Sequence, residues 1–92
     1  MSRMTPTQIR ALATVSLGVI EAVEVAGEQG APGGVLYAAM QAQGASLGQF
    51  QGIMRTLVNP GYLVLEDDCY RSTPRTLELK TKLTNTLAAF AS

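Results

Sequence analysis

The chain has 92 residues, seven Lys and Arg against seven Asp and Glu, a formal net charge of zero and a pI near 6.1. Apolar residues make up 47% and charged residues 15%, which excludes a disordered chain and indicates one small domain with some apolar surface. One cysteine, Cys69, and no histidine exclude an internal disulfide framework, a Cys/His zinc site and histidine-based acid–base or nucleophile chemistry.

Thr5-Pro6 reads as a helix start, with Thr as N-cap and Pro at the first helical position. The first helix, residues 5–28, places Ile9, Leu12, Ala13, Ile20 and Val23 on one face at helical spacing. Val15, Val19, Ala22 and Ala26 widen that apolar arc, and the polar remainder is a narrow line through Arg10, Thr14, Glu21, Glu24 and Glu28. An arc so wide is buried on more than one side, and in a domain of this size a second subunit is the expected cover.

The run Gln29-Gly30-Ala31-Pro32-Gly33-Gly34 reads as a loop leading into a second helix, residues 32–43, with Val35, Leu36, Ala39 and Met40 inward. Gly44 stands where a helix C-terminus needs a left-handed residue. Ser46 opens a third helix, residues 46–59, and Gln49 completes a capping-box pattern. Leu47, Phe50, Ile53, Met54, Leu57 and Val58 form its stripe, and Asn59-Pro60-Gly61 ends it. A hairpin over 62–72 follows, with strands Tyr62–Leu65 and Cys69–Arg71 around Asp67-Asp68. Thr73-Pro74 repeats the helix-start signal for a last helix, residues 74–90, striped by Leu79, Leu83, Leu87 and Phe90.

Two helices joined through Gly44-Ala45-Ser46 and followed at once by a hairpin make a mainly α fold of the winged helix-turn-helix kind, in one domain over 1–92. The string SLGQFQGIMRTLVNPGYLVLEDDCYRSTPRTLEL resembles the recognition helix, wing and following helix of bacterial winged-helix regulators of the MarR type. The matching features are Leu57-Val58-Asn59-Pro60-Gly61-Tyr62-Leu63 at the turn into the wing and Tyr70-Arg71-Ser72-Thr73 leaving it. The chain departs from that pattern in its shortness and in an acidic wing tip, Glu66, Asp67 and Asp68, where basic residues are common. Three carboxylates beside a phosphate backbone are repelled.

The resemblance implies a dimeric DNA-binding protein, a transcriptional regulator from a bacterium or phage. Away from its apolar stripe the third helix carries Gly48, Gln49, Gln51, Gly52, Arg55 and Thr56, and also Asn59. Carboxamides match adenine edges and guanidinium groups match guanine. Arg71, Arg75, Thr73 and Ser46 are candidate phosphate contacts near the wing base and the helix starts. Val15, Val19, Ala22 and Ala26 of the first helix, with Leu83, Leu87 and Phe90 of the last, are the expected dimer contact. Two-fold symmetry then predicts a palindromic double-stranded DNA site with half-sites about one helical turn apart.

The alternative is a winged-helix module that binds another protein, a phage or replication accessory factor, which suits the neutral charge and acidic wing. An enzyme is not expected: no nucleophile–base pair is visible, and the glycines at 30–34 neither follow a strand nor precede Lys-Ser/Thr. No cofactor or metal is implied, the acidic triplet reading as a polar turn and Lys80 and Lys82 as a solvated face. No apolar run reaches membrane-span length and no signal-peptide pattern opens the chain, so a cytoplasmic location without membrane contact is expected.

Overall fold

A computed structural model describes residues 3–91. The chain is mainly helical with one small antiparallel sheet: α1 (Pro6–Ala26), a 3-10 turn (Gly27–Gln29), β1 (Ala31–Pro32), α2 (Gly33–Gln41), α3 (Leu47–Val58), β2 (Leu63–Glu66), β3 (Cys69–Ser72) and α4 (Thr76–Ala91).

Short-range chemistry sets the helix starts. Thr5 Oγ1 accepts from the Gln8 amide at 3.1 Å while Gln8 Oε1 accepts from the Thr5 amide at 2.8 Å. Ser46 and Gln49 repeat the arrangement at the same two distances ahead of α3. Each box pairs two backbone donors that a helix start leaves free. The joint between α2 and α3 is longer than Gly44-Ala45-Ser46, because α2 ends at Gln41. The amides of Gln43 and Ala45 then return to the Met40 carbonyl, and Gly44 turns the chain at φ 95°.

The strand Ala31–Pro32 lies within the stretch expected to be loop. It pairs antiparallel with β3, Ala31 opposite Tyr70 and Pro32 opposite Cys69, so the sheet order is β1-β3-β2. Gly30 makes this contact feasible: its φ is 79°, and a Cβ there would lie 3.0 Å from both Arg71 Cγ and Cys69 Cβ. β2 and β3 pair from Leu63 opposite Ser72 to Glu66 opposite Cys69. The connecting Asp67 and Asp68 both have positive φ, 52° and 62°. This is the mirror-image turn that matches strand twist, here with Asp at the second position where Gly is preferred.

One core joins every layer. Val19 and Val23 of α1, Ala31, Leu36 and Met40 of α2, Phe50, Met54 and Leu57 of α3, Leu63 and Tyr70 form a single buried cluster. The Tyr37 ring sits 5.4 Å from that of Phe50 at its edge. α1 has a second buried row, Ala13, Ser16 and Ile20, and its most extensive contact is with α4. α4 runs back along α1, with Lys80 Nζ 2.8 Å from Glu24 Oε1 and Leu87 beside the Thr14–Ala22 stretch. The width of the α1 apolar arc is largely accounted for inside one chain. Val15, Val19 and Ala26 turn into the core, the row Ala13, Ser16 and Ile20 is buried with α4 packed along α1, and Ala22 stays exposed.

Several residues expected inward are not. Val35 is 63% exposed and Leu47 49%, while Ile9 and Leu12 are each at 39%. Leu12 opens onto a cleft between α1 and α3. Among the described residues no helix is long and apolar enough to cross a membrane.

Replacing Asp67-Asp68 with Asn-Gly relieves two left-handed carboxylate residues at a turn whose geometry is already fixed. The double variant is expected to gain roughly 1 kcal/mol, seen as a melting temperature about 5 °C higher. An unchanged or lower melting temperature contradicts this account of the turn.

Candidate nucleic-acid interface

The periodicity of α3 sets its faces. Phe50, Met54 and Leu57 are buried, and the line opposite them runs through Gly48, Gly52, Arg55 and Asn59. Gln49 and Thr56 flank that line on one side and Gln51 on the other. On the first side α3 meets the N-terminal half of α1 across an open cleft of about 540 Å³, with Leu12, Val15 and Ile53 among its walls. On the second side Gln51, Arg55 and Asn59 share a groove of about 370 Å³ with Leu65 and Tyr70 of the hairpin.

The polar groups on this face divide into those held by the fold and those left free. Ser46 Oγ accepts from the Gln49 amide, and the Gln49 side-chain carbonyl is held by the Ser46 amide. Thr56 Oγ1 donates to the Ile53 carbonyl at 2.6 Å. The side chains of Gln51, Arg55 and Asn59 have no hydrogen-bond or ion-pair partner among the described residues.

Arg71, Thr73 and Arg75 are committed elsewhere. Arg71 Nε donates to the Glu28 carbonyl at 2.8 Å, its Nη2 reaches Gln29 O at 3.5 Å, and Glu66 lies at 4.0 Å. It thereby pins β3 to the 3-10 turn after α1. Thr73 Oγ1 donates to the Gly61 carbonyl at 2.6 Å and accepts from the Arg75 amide, and Thr76 Oγ1 donates to the Tyr62 carbonyl at 2.6 Å. Arg75 Nη1 donates to the Pro60 carbonyl, and its guanidinium carbon lies 4.7 Å from the centre of the Tyr62 ring. Glu78 completes the arrangement 3.5 Å from Arg75 Nε. Three residues taken as phosphate contacts therefore hold the chain's own carbonyls, and the candidate set contracts toward α3.

Charge is unevenly placed along the chain. Residues 3–20 and 33–59 contain Arg3, Arg10 and Arg55 and no carboxylate, and all seven carboxylates lie outside those two stretches. Lys80 pairs with Glu24, and Lys82 lies 3.7 Å from Glu78. The hydrogen bond and charge of Glu24 hold the Lys80 ammonium above its ordinary pKa. Burial pushes the Tyr70 phenol up as well, with the Asp68 carboxylate adding to the shift. Both shifts keep protons on the folded chain, so stability present at neutral pH is lost as pH rises past about 10. Tyr70→Phe should make that alkaline decline shallower in denaturation measured across pH 8 to 11.

The residues assigned to a dimer contact are scattered. Val19 is 4% exposed and belongs to the core, which also packs Val15 and Ala26. Ala22 is exposed, Leu83 and Leu87 are half-buried against α1, and Phe90 is 38% exposed. Among the described residues no group of His, Cys, Asp and Glu is placed to hold a metal ion. The groove beside the hairpin, with Leu65 and Tyr70 as its far wall, was not foreseeable from sequence, because it forms only when β2–β3 folds back beside α3.

No family model matches the chain, and neither a curated protein nor a solved structure is significantly similar to it.

The two classes of arginine are separable by stability. Arg71→Ala and Arg75→Ala should each cost about 1–2 kcal/mol in chemical denaturation, because they release carbonyl contacts that join distant segments. Arg55→Ala should stay within about 0.5 kcal/mol of wild type. An Arg55 loss as large as the other two contradicts the division.

Proposed function

We propose that this chain is a winged helix that binds duplex DNA through α3, acting as a dimeric regulator of transcription. The order of elements supports the fold reading: a helix, a short strand, two helices across a tight turn, then a hairpin whose second strand pairs with the first strand. The observation that carries the function is the state of α3. Its outward face holds an unpaired guanidinium and two unpaired carboxamides, and the stretch 33–59 around it contains no carboxylate. A helix of that composition tolerates the negative field of a phosphate backbone and offers base-edge donors and acceptors.

The same distribution argues that the hairpin tip stays off the DNA. Glu66, Asp67 and Asp68 are all exposed, and Arg71 is turned back toward α1. One free arginine on α3 gives few phosphate contacts per chain, which is the physical case for two copies acting together. The exposed Ala22 and Phe90, with the half-buried Leu87 of α4 beside α1, are the apolar groups available for that pairing.

Binding to random duplex DNA, followed by fluorescence anisotropy at roughly 50 mM and 200 mM salt, tests the proposal. Tight binding at the lower salt should weaken steeply at the higher one. Arg55→Ala should weaken binding at both salts with little change in the slope of log K against log salt, as expected of a guanidinium facing base edges. Arg71→Ala should leave that slope unchanged once folding is restored by working at low temperature. Sedimentation equilibrium should give the mass of two chains. Absence of any binding at the lower salt sinks the DNA reading.

A second reading, a winged helix that binds a protein, draws on one specific observation. The cleft of about 540 Å³ beside α3 is walled by Leu12, Val15 and Ile53, and its walls carry no charge. Such a surface suits an apolar protein segment better than a phosphate backbone. Loss of DNA binding with retention of the fold favours that reading.

A further inference from the structure

We infer that α3 reads DNA through one row of side chains, Gln51, Arg55 and Asn59, while its N-terminal half is held against the duplex without reading it. This rests on the DNA-binding reading above. The row follows from what the fold leaves unused. Ser46 and Gln49 are held in place by the reciprocal cap of α3, in which both side chains only accept. They keep donors but not the freedom to turn toward a base edge. Thr56 is bonded back to the Ile53 carbonyl. Thr73, Arg71 and Arg75 hold carbonyls of the chain. Of the polar side chains at this face, the three that remain stand four residues apart and line one groove. That spacing stacks them on one side of the helix over roughly 12 Å, which spans between three and four base-pair steps.

Their chemistry is complementary in a definite order. A guanidinium matches the paired acceptors of guanine, and a carboxamide matches the acceptor and donor of adenine. The row therefore presents a guanine reader between two adenine readers, and reading is confined to about four adjacent base pairs per copy.

The glycines give the second part. A Cβ at Gly52 would meet nothing within 4 Å, and one at Gly48 would meet only Ser46 Oγ at 4.0 Å. Neither has a positive φ. The fold therefore has room for alanine at both positions, and each glycine weakens the helix relative to alanine. Folding does not account for these two residues, which lie on the outward line of α3. Close approach of a backbone does.

Selection from a randomised duplex library at low salt tests both parts, with melting temperatures measured on every variant. Wild type should select a motif of no more than about four adjacent base pairs per half-site containing a guanine. Arg55→Ala should lose that guanine preference, and its binding to the selected site should fall on the order of tenfold or more. Thr56→Ala should select the wild-type motif. Gly52→Ala should melt higher than wild type yet bind every sequence more weakly. Binding without sequence preference, or an unchanged motif in Arg55→Ala, overturns the reading row and leaves DNA binding standing. Gly52→Ala binding as tightly as wild type overturns the close approach. If the folded wild type binds no duplex at low salt, the DNA reading fails and this inference fails with it.

Discussion

Three consecutive carbonyls, those of Pro60, Gly61 and Tyr62, accept hydrogen bonds from Arg75, Thr73 and Thr76 respectively. The turn that leaves α3 would otherwise present three acceptors to water with no regular structure to satisfy them. The start of α4 supplies the donors, and Arg75 also lies over the Tyr62 ring. This clasp fixes where β2 begins relative to α3, and so fixes the groove between α3 and the hairpin. Arg71 performs the matching task at the other edge of the sheet, tying β3 to the carbonyls that follow α1. The hairpin is thereby anchored at both edges of its base.

The clasp also decides how charge is presented. Two of the seven basic residues are withdrawn from the surface task that their position in the chain implies, and Lys80 is drawn to Glu24. What remains on α3 is a single arginine without a partner among the described residues, in a stretch of chain, 33–59, that holds no carboxylate, while the hairpin tip is acidic. A neutral chain can therefore have one face compatible with a polyanion and another that repels it. Net charge alone does not reveal this, because pairing within the fold decides which charges face outward.

The packing of α1 has a similar consequence. A helix with apolar residues over most of its circumference requires cover on two sides. Val19 and Val23 turn into the common core, and the row Ala13, Ser16 and Ile20 is buried as well, with α4 packed along α1. The leucines of α4 facing α1 are only half-buried, so α4 is an outer layer that joins the main core through Leu79 packed against it. The short strand Ala31–Pro32 is the other element set by packing. Its two residues have no strand signature of their own and owe their conformation to β3 and to the tight seat of Gly30.

Much of the architecture was legible in the residues themselves. Thr5-Pro6, Ser46 with Gln49, Asn59-Pro60-Gly61, and Thr73-Pro74 act within a few positions of chain, so each helix and the hairpin fall within about two residues of their expected limits. The composition of the α3 face was equally readable, because helical periodicity needs only local sequence. Other features depended on tertiary structure, since they join residues far apart in the chain. These include the pairing of β1 with β3, the cover of α1 by α4, and the commitment of Arg71 and Arg75 to carbonyls 42 and 15 positions away. A free arginine and a structural arginine look identical in sequence. Which acceptors come within reach of each is decided only when those distant segments meet.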